Sequence, residues 1–116
     1  MTQSRTITLY RPVNGVELKL IDQLDFKAFP PRLPEQPIFY PVMNEAYATQ
    51  ITREWNVPAY GVGYVLAFEV DATYLSQFEI QNVGGPIHDE LWIPAEDLEA
   101  FNQHIVGTIK VIAEYR

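Results

Sequence analysis

The sequence predicts an α+β fold: a mainly antiparallel, split sheet of about six strands with short helices on its outside. Three observations predict it. Polar and apolar residues alternate along Thr6-Ile7-Thr8-Leu9-Tyr10, and Val62, Tyr64, Leu66, Phe68 and Val70 recur at every second position, which is the period of strands. Asn14, Asn44 and Asp71 each stand ahead of a short stretch with helical spacing, where a side-chain oxygen caps free backbone amides. Prolines and glycines then punctuate these stretches at close intervals.

Taken in order, the first strand runs to Tyr10 and ends at Arg11-Pro12. Asn14 opens a helix that carries Val16, Leu20 and Leu24 on one stripe, with Ile21 beside it. Residues 25 to 37 hold Pro30, Pro31, Pro34 and Pro37 and read as an irregular, stiffened segment. An irregular stretch of this length in a small domain is more often functional than idle. Ile38 to Val42 is the second strand, with Pro41 marking an edge or a break in its ladder.

Asn44 caps the next helix, whose face is Tyr47, Ala48, Ile51 and Trp55 and whose end is set by Asn56-Val57-Pro58. Val62 to Val70 is apolar on both faces and is expected as a central strand covered on both sides. Asp71 caps a short turn of helix through Leu75. Phe78 to Val83 is a weaker strand closed by Gly84-Gly85-Pro86, and Glu90 to Ile93 is another strand. Pro94 begins a helix that buries Leu98 and Phe101, and Ile105 to Tyr115 is a final strand interrupted near Gly107. No internal repeat or linker divides the 116 residues, so a single domain over 1–116 is expected.

Apolar residues at 47% argue against disorder, and a formal charge of -7 makes nucleic acid and anionic lipid poor partners. A local basic cleft for one small phosphorylated molecule stays compatible with that charge, because Arg5, Arg11, Lys19, Lys27, Arg32 and Arg53 all fall in the first half. With no cysteine, disulfides and thiolate metal sites are excluded. The start of the chain has no apolar signal core and no apolar run is of membrane-spanning length, so a cytoplasmic protein is expected.

Several residues could carry chemistry. Arg11, at the end of the first strand, is either a surface arginine or a planar grip for phosphate or ribose. Tyr40 and Phe39 point to opposite faces of their strand, so one ring is core and the other is free to line a cleft. Glu90, after the glycine-proline turn and beside Leu91 and Trp92, is either a strand-end or capping glutamate or a carboxylate placed to stabilise positive charge on a sugar. His88 and His104 are the only histidines and have no metal-ligand spacing, while Ser4 and Ser76 lie in no nucleophile elbow. Gly61-Val62-Gly63 precedes a strand instead of opening a helix, so it is no dinucleotide fingerprint.

The order Leu9-Tyr10-Arg11-Pro12, helix, Ile38-Phe39-Tyr40-Pro41-Val42, Ala46-Tyr47-Ala48 helix and Gly63 to Phe68 is similar to compact bacterial ADP-ribosyltransferase-like domains. Nearly the whole chain resembles small bacterial proteins that carry the label ADP-ribosylation/crystallin J. Residues 29–42, 90–96 and 101–107 carry that resemblance. The resemblance implies NAD as a dinucleotide substrate held in a cleft between sheet halves. It implies that Arg11 orients the dinucleotide, that Tyr40 packs on nicotinamide, and that Glu90 contacts the nicotinamide ribose as the catalytic residue. It also implies, where the domain is active, an ADP-ribosyltransferase or NAD glycohydrolase acting through an oxocarbenium-like state. The chain departs from that superfamily in lacking a Ser-Thr-Ser element and in reading His88-Asp89-Glu90 where arginine-modifying members have Glu-x-Glu or Gln-x-Glu. The alternatives are a protein-interaction module using Trp55, Tyr60 and Trp92, or a small nucleotide or sugar binder without turnover.

Overall fold

The computed structural model describes residues 5–116. Ser4 and the amino-terminal stretch read above for a signal core lie outside the described residues. Among the described residues seven strands and five short α-helices form an α+β fold in which every strand pairing is antiparallel. Strand β3 (Gly63–Asp71) lies between β1 (Thr6–Val13) and β7 (Ile105–Tyr115); β2 (Ile38–Phe39) pairs with β6 (Ile93–Pro94), and β4 (Ile80–Asn82) with β5 (Asp89–Leu91). The sheet is thus split, as expected, and into three pieces.

Val42 joins the pieces. Its N–H donates to the Tyr10 carbonyl at 2.8 Å and its own carbonyl accepts from Tyr10 at 2.9 Å, while on its other side it bridges to Glu90. The Leu91 N–H donates to Pro41 and the Met43 N–H donates to Asp89, so one register runs through the gap between β2 and Val42. Pro41, which has no N–H to give, lies in that gap, the break expected of it.

Strand β1 continues through Pro12, past its expected end. The Tyr10 N–H points away from β3 toward Val42, and two residues later the missing N–H of Pro12 falls on that same open side. Strand β3 is central and buried on both faces, as its double apolar pattern predicts. Leu66, Phe68 and Val70 face the larger core, and Val65 faces a smaller cluster with Val42 and Ala48.

Helix α1 (Gly15–Gln23) is capped by Asn14, which accepts from the Glu17 N–H at 2.9 Å. Its buried side is Ile21 with Leu18 beside it, whereas Val16 on the expected stripe is 72% exposed. After α1, Asp25 and Phe26 both take positive φ, at 59° and 55°, and turn the chain so that Phe26 and Phe29 enter the core. The proline segment that follows forms no helix or strand, as expected, and drapes Phe29 against Phe39 and Phe68 at 4.9 and 4.8 Å between ring centres.

Asn44 caps α2 (Glu45–Ile51) by accepting from the Tyr47 N–H at 2.7 Å. Pro58 does not stop the helix there. The chain widens into a π turn (Thr52–Asn56), where the Val57 N–H reaches Thr52, and resumes as α3 (Val57–Tyr60) with Pro58 in its first turn, where no amide is required. It stops at Gly61, whose φ is 81°. The wide turn also swings Trp55 out of the expected helical face, leaving it 70% exposed.

Asp71 caps α4 (Ala72–Leu75), accepting from the Tyr74 N–H at 3.0 Å. Trp92 separates β5 from β6, so the single expected strand at Glu90 to Ile93 is two. Pro94 belongs to β6 and precedes a tight 3-10 turn (Ala95–Asp97) before α5 (Leu98–Gln103), whose Leu98 and Phe101 are buried as expected. Among the described residues no helix is long and apolar enough to cross a membrane.

Candidate functional site

The segments that carry Arg11, Tyr40 and Glu90 meet where the sheet divides, Tyr40 in the gap between β2 and Val42. Their side chains do not enter one cleft. Tyr10, Val42 and Glu90 are bridged partners and share a face, so Arg11, next to Tyr10, points through the other side.

On that other side Leu9 and Val13 bury themselves in the larger core, and Arg11 between them is drawn in with them. Its guanidinium is clamped. Nε donates to Glu17 Oε2 at 2.5 Å and Nη2 donates to Oε1 at 2.9 Å, a two-pronged ion pair. Glu17 is held in place by the Asn14 cap at the start of α1. The Arg11 guanidinium carbon also lies 4.6 Å from the centre of the Phe39 ring. Phe39 itself is buried, and Phe29 and Phe101 pack around it at 4.9 and 5.5 Å.

A residue that the sequence offered only as one of six basic residues for a local cleft completes this cluster. Arg32, from the proline segment, brings its guanidinium carbon to 5.7 Å from the same Phe39 ring. Burial, and next the charge of Arg11, push its pKa below the ordinary arginine range, while Glu17 and the Tyr40 phenol act in the opposite sense. Tyr40 is 43% exposed and belongs to the surroundings of Arg32. Proline density around Arg32 was the signal for an ordered segment; its arrival at Phe39 depends on the positive-φ turn at Asp25 and Phe26, which no local pattern announces.

On the opposite face Glu90 is buried, and both of its oxygens are engaged. Oε1 accepts from the Tyr47 hydroxyl at 2.9 Å and Oε2 accepts from the Trp92 indole N–H at 2.7 Å. Tyr47 projects from the first turn of α2, and Trp92 follows β5 by one residue, so cap and register together deliver the two donors. Burial pushes the Tyr47 phenol up to about 12, and the hydrogen bond to Glu90 and its charge add to that. The Tyr47 ring packs against His88 at 4.8 Å, and His88 Nε2 is 2.8 Å from Gln50 Oε1. Gly85 leaves the room His88 needs: a Cβ there would lie 2.7 Å from the imidazole Nδ1.

The two charged groups therefore differ in what they can do. Glu90 is a carboxylate with fixed orientation, both of whose oxygens already accept a hydrogen bond. The Arg11 cluster holds two guanidinium groups against one carboxylate. Among the described residues no group of three or more His, Cys, Asp or Glu is placed to hold a metal ion. Compared with protein-family models, with curated proteins and with solved structures, the chain finds no match.

Proposed function

We propose that the chain is an ADP-ribosyltransferase-like module that binds NAD, or a nucleotide of that class, without cleaving it. One observation carries this reading: Arg11, Tyr40 and Glu90 stand on three segments joined through Val42 at the split of the sheet, yet Arg11 and Glu90 act on opposite faces. The common junction supports the scaffold and the binding of an anionic, ring-bearing ligand near Arg11. The divergence argues against turnover, since a carboxylate stabilises a developing sugar cation only from the same side as the group that positions the dinucleotide.

The test is NAD-dependent thermal stabilisation of the purified chain, with nicotinamide release followed in parallel for it and for Glu90→Gln. Stabilisation that saturates with NAD, with no nicotinamide formed, is the expected result. Nicotinamide release that disappears in Glu90→Gln would establish catalysis and overturn the non-cleaving half of the proposal. No thermal response at any NAD concentration overturns the binding half.

A second reading, a protein-binding module, is favoured by the exposure of Trp55 and Tyr60, two large rings left outside by the π turn and α3. Loss of partner binding in a Trp55→Ser, Tyr60→Ser variant, with its fold intact, is the result that reading requires.

A further inference from the structure

Arg32 is held half-buried with its charge unanswered. Its Nε is buried and has no hydrogen-bond partner among the described residues, and no carboxylate among them lies within ion-pair distance. Such a group is costly to keep, because a buried donor loses water without gaining a replacement. Nor can it swing away freely, since Pro30, Pro31 and Pro34 stiffen the backbone on both sides of it.

Arg32 also lines a cavity of about 430 Å³ whose walls include Phe29, Pro31 and Leu98. The charge around the Phe39 ring is two guanidinium groups and the Glu17 carboxylate, which leaves one positive charge over. Glu96 and Glu99 on the cavity wall disfavour a terminal phosphate, which puts two charges on one group, over a phosphoryl group within a diester or a dinucleotide bridge, which carries one.

We propose that Arg32, beside Arg11, is the binding site for a singly charged oxyanion, a phosphodiester or a carboxylate, on a small ligand whose body occupies this cavity. A phosphodiester and a carboxylate share the required chemistry: two acceptor oxygens, one negative charge and a shape that meets the planar fork of an arginine. The phosphodiester form deepens the nucleotide-binding reading and rests on it; the carboxylate form does not.

The experiment follows the side-chain Nε–H signals of Arg11 and Arg32 by ¹H–¹⁵N NMR. Dimethyl phosphate and acetate are titrated separately against sodium chloride at matched ionic strength, and NAD affinity is measured for the unchanged chain, Arg32→Gln and Arg32→Lys. A saturating shift of Arg32 with one of the two oxyanions, and none with chloride, is expected. NAD affinity is expected to fall about tenfold or more in Arg32→Gln, the loss of a charge-assisted hydrogen bond. A smaller fall is expected in Arg32→Lys, which keeps the charge without the fork.

Saturation by acetate or dimethyl phosphate in a chain that does not bind NAD keeps the oxyanion site and overturns the NAD reading. NAD bound equally well by the unchanged chain and Arg32→Gln does the reverse. Shifts no different from those with chloride, for both oxyanions, overturn the site.

Discussion

The two faces of the split sheet treat their charged residue in opposite ways. Among the described residues the larger core holds fourteen buried residues and the smaller one only three. Arg11 and Arg32 are set against the thick aromatic side, around Phe39, with a single carboxylate between them. Glu90 lies on the thin side, with each of its oxygens answered by a neutral donor. A buried charge whose partners are all internal is explained by the fold. A half-buried charge with no internal partner asks for something from outside.

The sharpest way to break this contrast is Phe39→Ala. The ring is fully buried, packs against Phe29 and Phe101, and supports both guanidinium groups. A loss of about 3–5 kcal/mol in urea unfolding is expected. A loss below about 1 kcal/mol would show that the thick side does not rest on this ring.

Glu17→Gln comes next. It leaves Arg11 buried without its counter-charge, and a loss of about 2 kcal/mol is expected. Adding Arg11→Met to the same chain should recover most of that loss, since no buried charge then lacks a partner. A double variant that is no more stable than Glu17→Gln alone would mean that Glu17 contributes through packing or through α1 instead.

Tyr47→Phe probes the thin side and has the smallest effect near neutral pH, about 1 kcal/mol for one hydrogen bond to Glu90. Its distinguishing mark is pH. The folded state raises the Tyr47 phenol from 10.0 to about 12, so between those values the native chain holds a proton that the unfolded chain has released. The contribution of Tyr47 is therefore complete below about pH 10 and is lost as pH rises through about 12. Unfolding free energy measured across that window should fall more steeply for the unchanged chain than for Tyr47→Phe. Parallel curves would remove the phenol–Glu90 hydrogen bond from the account.

Much of the fold was legible because its signals are local. The amides and carboxylate of Asn14, Asn44 and Asp71 cap the helices they precede, since capping needs only a side-chain oxygen and the next turn of backbone. The double apolar pattern of β3 announced a central strand because burial on both faces must be written into both sets of alternating residues. Pro58 misled because a proline bars its own amide but not the carbonyls before it, and a π turn carried the helix past it. On α1 the spacing of Val16, Leu20 and Leu24 was helical, but the helix lies on the core through Ile21 and Leu18. Helical period alone does not say which of two apolar stripes meets the sheet.

The sequence by itself determined the three helix starts capped by Asn14, Asn44 and Asp71, which strand is central, and that no cysteine chemistry operates, because each follows from neighbours in the chain or from composition. Only the tertiary structure decided the faces. Side-chain direction alternates with every residue of a strand, so one bridge at Val42 sets Tyr10 and Glu90 together and sends Arg11 to the other side. The same non-local geometry brought Arg32 to Phe39 through the left-handed turn at Asp25 and Phe26, and so created the unpartnered charge on which the proposed oxyanion site depends.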